Sequence, residues 1–228
     1  MSTIQLSKKS KPFSFSKKHI CIGLGILAGT ILMGKVIAPY LSGKLDVDFL
    51  ITKQHLIHLQ HYQIAFYTHI FSSLPVLFFG AFLFSSNIQR KFPFLHRNIG
   101  KLYVVLVLLL AAPSGMVMAW YANGGIWAKI AFLLATPLWW WFTWQGLQTA
   151  RNRQFSAHRK WMIRSYAMSF SAITLRVSQL ILNEINLVDP AHHYVLVSWS
   201  SWLFNLAVVE LYLSIGNLKN NILISENN

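Results

Sequence analysis

Long apolar runs and short polar stretches alternate along this chain, and the runs have the length of membrane-crossing helices. Apolar windows at about 19–41, 62–84, 101–121, 126–148, 162–184 and 194–216 each supply the roughly 20 residues that a helix needs to cross about 30 Å of hydrocarbon. The pattern predicts an all-α integral membrane protein with a bundle of six transmembrane helices. Pro75, Pro113 and Pro137 fall inside the second, third and fourth runs, where each removes a backbone donor and bends its helix. Gly25 and Gly29 form a GxxxG spacing in the first run, which predicts close helix packing.

Within the fifth run, polarity follows a helical period. Ser165, Ser169, Ala172, Arg176, Gln179 and Asn183 step by four, three, four, three and four, which puts them on one helix face. Arg176 lies about 21 Å along that helix from Met162 at 1.5 Å per residue, so a charge sits at depth and needs a partner, water or a route to the surface. Tyr194, Ser198, Ser201 and Asn205 form a matching stripe on the sixth run, and His69 in the second run is expected at the same level. His69, Arg176, Gln179, Ser201 and Asn205, with Ser169 and Asn183, are therefore the candidate lining of a polar cavity. The alternative is a set of interhelical hydrogen bonds with Arg176 snorkelling outward.

Composition agrees with the pattern: of 228 residues, 54% are hydrophobic and only 11% charged, too few charges for the surface of a soluble domain. The net charge of +14 does not point to nucleic acid, because the cations flank apolar runs instead of forming a basic domain. Lys and Arg collect in 1–18, 90–101 and 151–164, whereas Asp46, Asp48, Glu184 and Asp189 lie in the intervening connections. The positive-inside rule then places both termini in the cytoplasm, with 1–18 as a basic segment, 19–216 as one bundle and 217–228 as a tail. The first run is too long for a cleaved signal and is read as an uncleaved span. Cys21, the single cysteine, excludes an intrachain disulfide and a thiolate cluster.

Histidines supply the remaining chemistry. His96 and His158 open the stretches HRNIGKLY and HRKWMIRSY at the cytoplasmic level, with Arg159 and Arg164 nearby. Two imidazoles facing each other across a bundle can ligate b-type haem, with arginines on its propionates. His69 with His192 or His193, and Arg176 beside them, form the corresponding outer set. His55, His58 and His61, one turn apart if helical, are a candidate metal site together with Asp46 and Asp48. Glu210, out of phase with the sixth-run stripe, is expected to pair with a cation, take a proton or snorkel. Trp139, Trp140, Trp141 and Trp144 read as an interfacial belt.

His69, the FFGAFLF segment around Gly80, HRNIGKLY and above all HRKWMIRSYAMSFSAITLR resemble an uncharacterised bacterial family of predicted membrane proteins, domain of unknown function number 2306. The likeness covers roughly 62–216. It implies a multi-helix integral membrane protein of the bacterial cytoplasmic membrane in which His69, His96, His158, Arg159, Arg164 and Arg176 match motif positions. Lys101 stands where an arginine is usual, which keeps the charge but loses the fork.

Three functional readings follow. One is a haem b or quinone-linked electron-transfer protein. A second is a transporter or small-molecule-binding protein with a cavity around Arg176. The third is a scaffold whose polar residues hold the bundle together or engage a partner or second copy. No P-loop, GxGxxG, HExxH or hydrolase triad is present in the sequence.

Overall fold

The computed structural model describes residues 17–185 and 190–225; the basic segment before Lys17, Asp189 and the last three residues of the tail lie outside them. The described residues fold as helices α1 (Lys17–Ile37), α2 (Gln60–Leu83), α3 (Ser86–Lys91), α4 (Pro93–Trp120), α5 (Gly125–Arg151), α6 (Phe155–Ile185) and α7 (Pro190–Ser225). Two short 3₁₀ helices, Ala38–Ser42 and Asp48–Lys53, lie in the connection from α1 to α2.

Four segments are long and apolar enough to cross a membrane: Gly23–Ser42, Gln60–Leu83, Pro93–Trp120 and His192–Asn217. Helices α5 and α6 are long enough but do not reach the same apolarity. Their packing gives the reason. α6 touches α1, α2, α5 and α7, so it stands at the centre of the bundle, where a helix can present hydroxyls and amides to neighbours instead of lipid. α5 is rich in tryptophan, with Trp139 buried, Trp140 stacked on Trp144 at 5.5 Å and Trp141 exposed. The expected tryptophan belt is thus divided, and Trp139 belongs to the interior.

α4 is not regular. A π-helical turn at Leu106–Ala111 precedes Pro113, whose ring and missing N–H already disturb the ladder there. The turned backbone offers carbonyls to neighbouring helices: Trp140 Nε1 donates to Leu108 O at 3.2 Å, and His69 Nδ1 donates to Ala111 O at 2.8 Å. Only Gly29 of the GxxxG pair packs closely, since a Cβ there would meet Ile173 Cδ1 of α6 at 2.5 Å, whereas Gly25 faces open space.

Apolar packing falls into two clusters. One runs down the bundle through Val76, Tyr103, Val107, Trp139, Met162, Tyr166 and Trp202. The other, Tyr40, Leu50, Tyr62 and Phe66, seats the 38–59 connection on α2. Lys53 fastens that seat: it is 2% exposed, and its ammonium donates to Tyr121 O and to Asn123 Oδ1 beyond the end of α4.

Candidate functional site

Between the two clusters lies a partly enclosed cavity of about 310 Å³. Its wall comes from α1, α2, α4, α5, α6 and α7, with Tyr40 and Phe49 of the 38–59 connection at one end. On α2 the cavity face is Tyr62, Phe66, His69 and Ser73, stepping by four, three and four, so one face of the helix supplies all four. On α6 it is Ser169, Ala172, Arg176 and Gln179, the middle of the expected stripe.

The stripe on α6 divides by depth. Ser165 and Ser169 both pair with the Tyr103 hydroxyl, at 2.9 and 3.0 Å, and Ser165 also meets Thr143 Oγ1 at 2.7 Å. These groups are sealed by one another, which is the state a buried hydroxyl requires. Arg176 is different. Its Nη1 donates to Gln179 Oε1 at 3.0 Å, and no described carboxylate pairs with it. Among the described residues it is the only lysine or arginine in the wall, and no aspartate or glutamate lines it.

Several residues of the wall carry buried polar groups without a partner among the described residues. Tyr62 is 1% exposed and its hydroxyl makes no hydrogen bond; the Trp202 indole N–H and the Ser73 hydroxyl are equally unpaired. Tyr40 accepts the Phe49 N–H at 3.0 Å, which leaves its own proton to give. His69 is oriented by α4. Because a carbonyl only accepts, the bond to Ala111 O places the proton on Nδ1 and leaves Nε2 as an acceptor in the neutral ring. Gly115 makes this seat, since a Cβ there would lie 3.0 Å from His69 Nδ1 and Cε1.

The other expected site residues fall elsewhere. Ser201 lines the cavity, but Asn205 does not: it accepts from Thr174 Oγ1 at 3.0 Å and donates to Ala167 O at 3.2 Å, tying α7 to α6. Asn183 is exposed and outside the wall. Tyr62, Ser73 and Trp202 were not singled out in the sequence, although the spacing of Tyr62, Phe66, His69 and Ser73 carries the signal.

The paired-imidazole arrangement is not assembled around the cavity. Among the described residues His69 is the one histidine in its wall; His192, His193, His96 and His158 are not part of it. At the other end of the bundle His158 donates from Nδ1 to Gly146 O at 2.8 Å, while His96 Nδ1 is buried without a partner. Arg164 is engaged elsewhere: Nε and Nη2 grip Glu210 at 2.5 and 2.8 Å, and the guanidinium lies 4.8 Å from the Trp161 ring centre. Glu210 therefore takes the cation-paired option of its three. Arg159 is exposed on the first turns of α6.

His55, His58 and His61 do not form a shared helical face, because the chain turns between Lys53 and the start of α2 at Gln60. Among the described residues no three His, Cys, Asp or Glu gather as metal ligands, and His61 Nε2 instead meets Tyr121 OH at 2.8 Å.

A family model described as Predicted membrane protein (DUF2306) matches residues 66–213, well over half of the chain. The protein belongs to this family. The matched segment contains His69, Arg176, Gln179, Ser201 and Trp202 of the cavity wall, and leaves out Tyr40, Phe49 and Tyr62. The family and the four apolar segments make it a multi-pass protein of the lipid bilayer. No curated protein and no solved structure matches the chain.

Proposed function

We propose that this membrane protein binds a small amphipathic molecule in the cavity around His69 and Arg176. The observation that carries the reading is Arg176, an arginine without a described counter-ion in the wall of a partly enclosed cavity. A charge at this depth is costly unless it is paired, hydrated or able to reach the surface, so a wall that carries one is stabilised by an occupant that pairs with it. The size supports the same reading, since small-molecule sites begin at about 300 Å³ and are largely apolar with a few placed polar groups.

The bundle in this reading is one unit of six spans, at about 19–41, 62–84, 101–121, 126–148, 162–184 and 194–216, in the bacterial cytoplasmic membrane with both ends in the cytoplasm. The cations of 90–101 and 151–164 lie at one end of the bundle, and the acidic residues Asp46, Asp48 and Glu184 lie in or beside the connections at the other. That orientation puts Arg176 and the cavity toward the outer face, and the Arg164–Glu210 pair toward the inner one.

The test uses purified full-length protein in lipid nanodiscs, with menadione, octanoate and octanamide as probes. Trp139 and Trp202 in the wall report occupancy through their emission, measured against empty nanodiscs. Saturable binding of at least one probe is expected, lost when the space is filled by Ala172→Trp or, if that variant misfolds, by Ala135→Phe. No saturable probe, or equal binding by folded filled variants, overturns the reading.

A further inference from the structure

Resting on that cavity reading, we infer that the occupant is an amphipathic carboxylate, its head group on Arg176 and its apolar body directed toward Leu77, Trp139 and Met168. Three observations specify this class. First, among the described residues the fixed charge in the wall is a single guanidinium that pairs with no carboxylate, in surroundings where an uncompensated charge is costly. Second, the unsatisfied groups are donors. Tyr62, 1% exposed, and Trp202, 6% exposed, carry a buried O–H and N–H that find no acceptor among the described residues. A carboxylate is acceptor-only, with two oxygens that take about four hydrogen bonds, and it matches the forked edge of an arginine.

Third, the wall is graded along its length. Tyr40, Tyr62, Tyr194, Arg176 and Gln179 stand at one end, and Leu77, Trp139 and Met168 at the other. From Arg176 to Ser169 the helix rises about 10 Å, enough to separate a head group from an apolar tail. Tyr40 and Tyr194, which line the same wall, both lie close enough to Arg176 to sense its charge. His69, one acceptor in a donor-rich wall, lies between the two ends. It accounts for a neutral polar contact and does not neutralise the guanidinium.

Octanoate and octanamide differ at the head group alone, and menadione represents a neutral quinone. In the nanodisc assay octanoate is expected to bind at least tenfold more tightly than octanamide or menadione. Arg176→Gln is expected to remove that preference, and Tyr62→Phe, which keeps the ring, to weaken octanoate several-fold. Octanamide or menadione binding as tightly as octanoate, with Ala172→Trp still blocking the site, would overturn the carboxylate assignment while leaving the cavity reading intact. An octanoate preference that survives in folded Arg176→Gln overturns it as well. If none of the three probes binds, both readings fall together.

Discussion

Lys53 carries a charge in one of the most enclosed positions of the molecule, and its titration follows from that. Burial, with a smaller contribution from Lys129, pulls its ammonium down from 10.5 to about 8. The sign of the stability effect follows from proton counting. Between about pH 8 and pH 10.5 the unfolded chain holds the proton and the folded chain does not, so folded stability rises with pH in that window. The cost of burying the charge is fully present below pH 8. Comparing thermal unfolding of the wild type with Lys53→Met, the difference in stability is expected to move in favour of the wild type from pH 8 to 10.5. A flat difference would show that Lys53 does not titrate there. The same residue matters for the cavity, because its bonds to Tyr121 O and Asn123 Oδ1 hold the connection that delivers Tyr40 and Phe49 to the wall.

At the level of elements, α6 does two things with one polar face. Its inner part is a closed hydrogen-bond network through Tyr103, Ser165, Ser169 and Thr143, and its outer part is open to the cavity at Ala172, Arg176 and Gln179. Tyr103→Phe keeps the ring but removes the shared hydroxyl, and is expected to cost about 0.5–1.5 kcal/mol, since Ser165 keeps Thr143 Oγ1 and Ser169 keeps Ser165 O. Thermal unfolding in nanodiscs measures this, and octanoate binding should be retained, since Tyr103 is outside the wall. An unchanged midpoint would show that the network adds no stability. The face itself was legible in the sequence because helical periodicity needs no tertiary knowledge. What the sequence could not separate was its sealed half from its open half, since that depends on where Tyr103 of α4 arrives. His69 shows the same division. Its depth followed from counting, whereas its tautomer depends on a π-helical turn 42 residues away, and Pro113 alone did not predict that turn. The histidines at 55, 58 and 61 misled in the opposite sense, because their spacing suggested a helix that the chain does not form before Gln60.

For the whole molecule, the sequence pattern predicts six spans, whereas four described segments are long and apolar enough to cross a membrane; α5 falls short through its tryptophans and α6 through its hydroxyls, Arg176 and Gln179. For α6, which packs against α1, α2, α5 and α7, that polarity accompanies a central position in the bundle. The proposed orientation makes Asn152 cytoplasmic and Ser42 extracytoplasmic. In a Cys21→Ser background, Ser42→Cys should react with an impermeant maleimide in intact cells, and Asn152→Cys only after lysis. The reverse pattern would invert the bundle and move Arg176 to the inner half.

The proposed binding site is the partly enclosed cavity that holds Arg176 in its wall. An experimental density map of the full-length protein in lipid nanodiscs with octanoate tests it most directly. Non-protein density is expected against the Arg176 guanidinium and the Tyr62 hydroxyl, with its other end toward Trp139. A space filled by repacked side chains, with Arg176 turned out to the membrane surface, would contradict it.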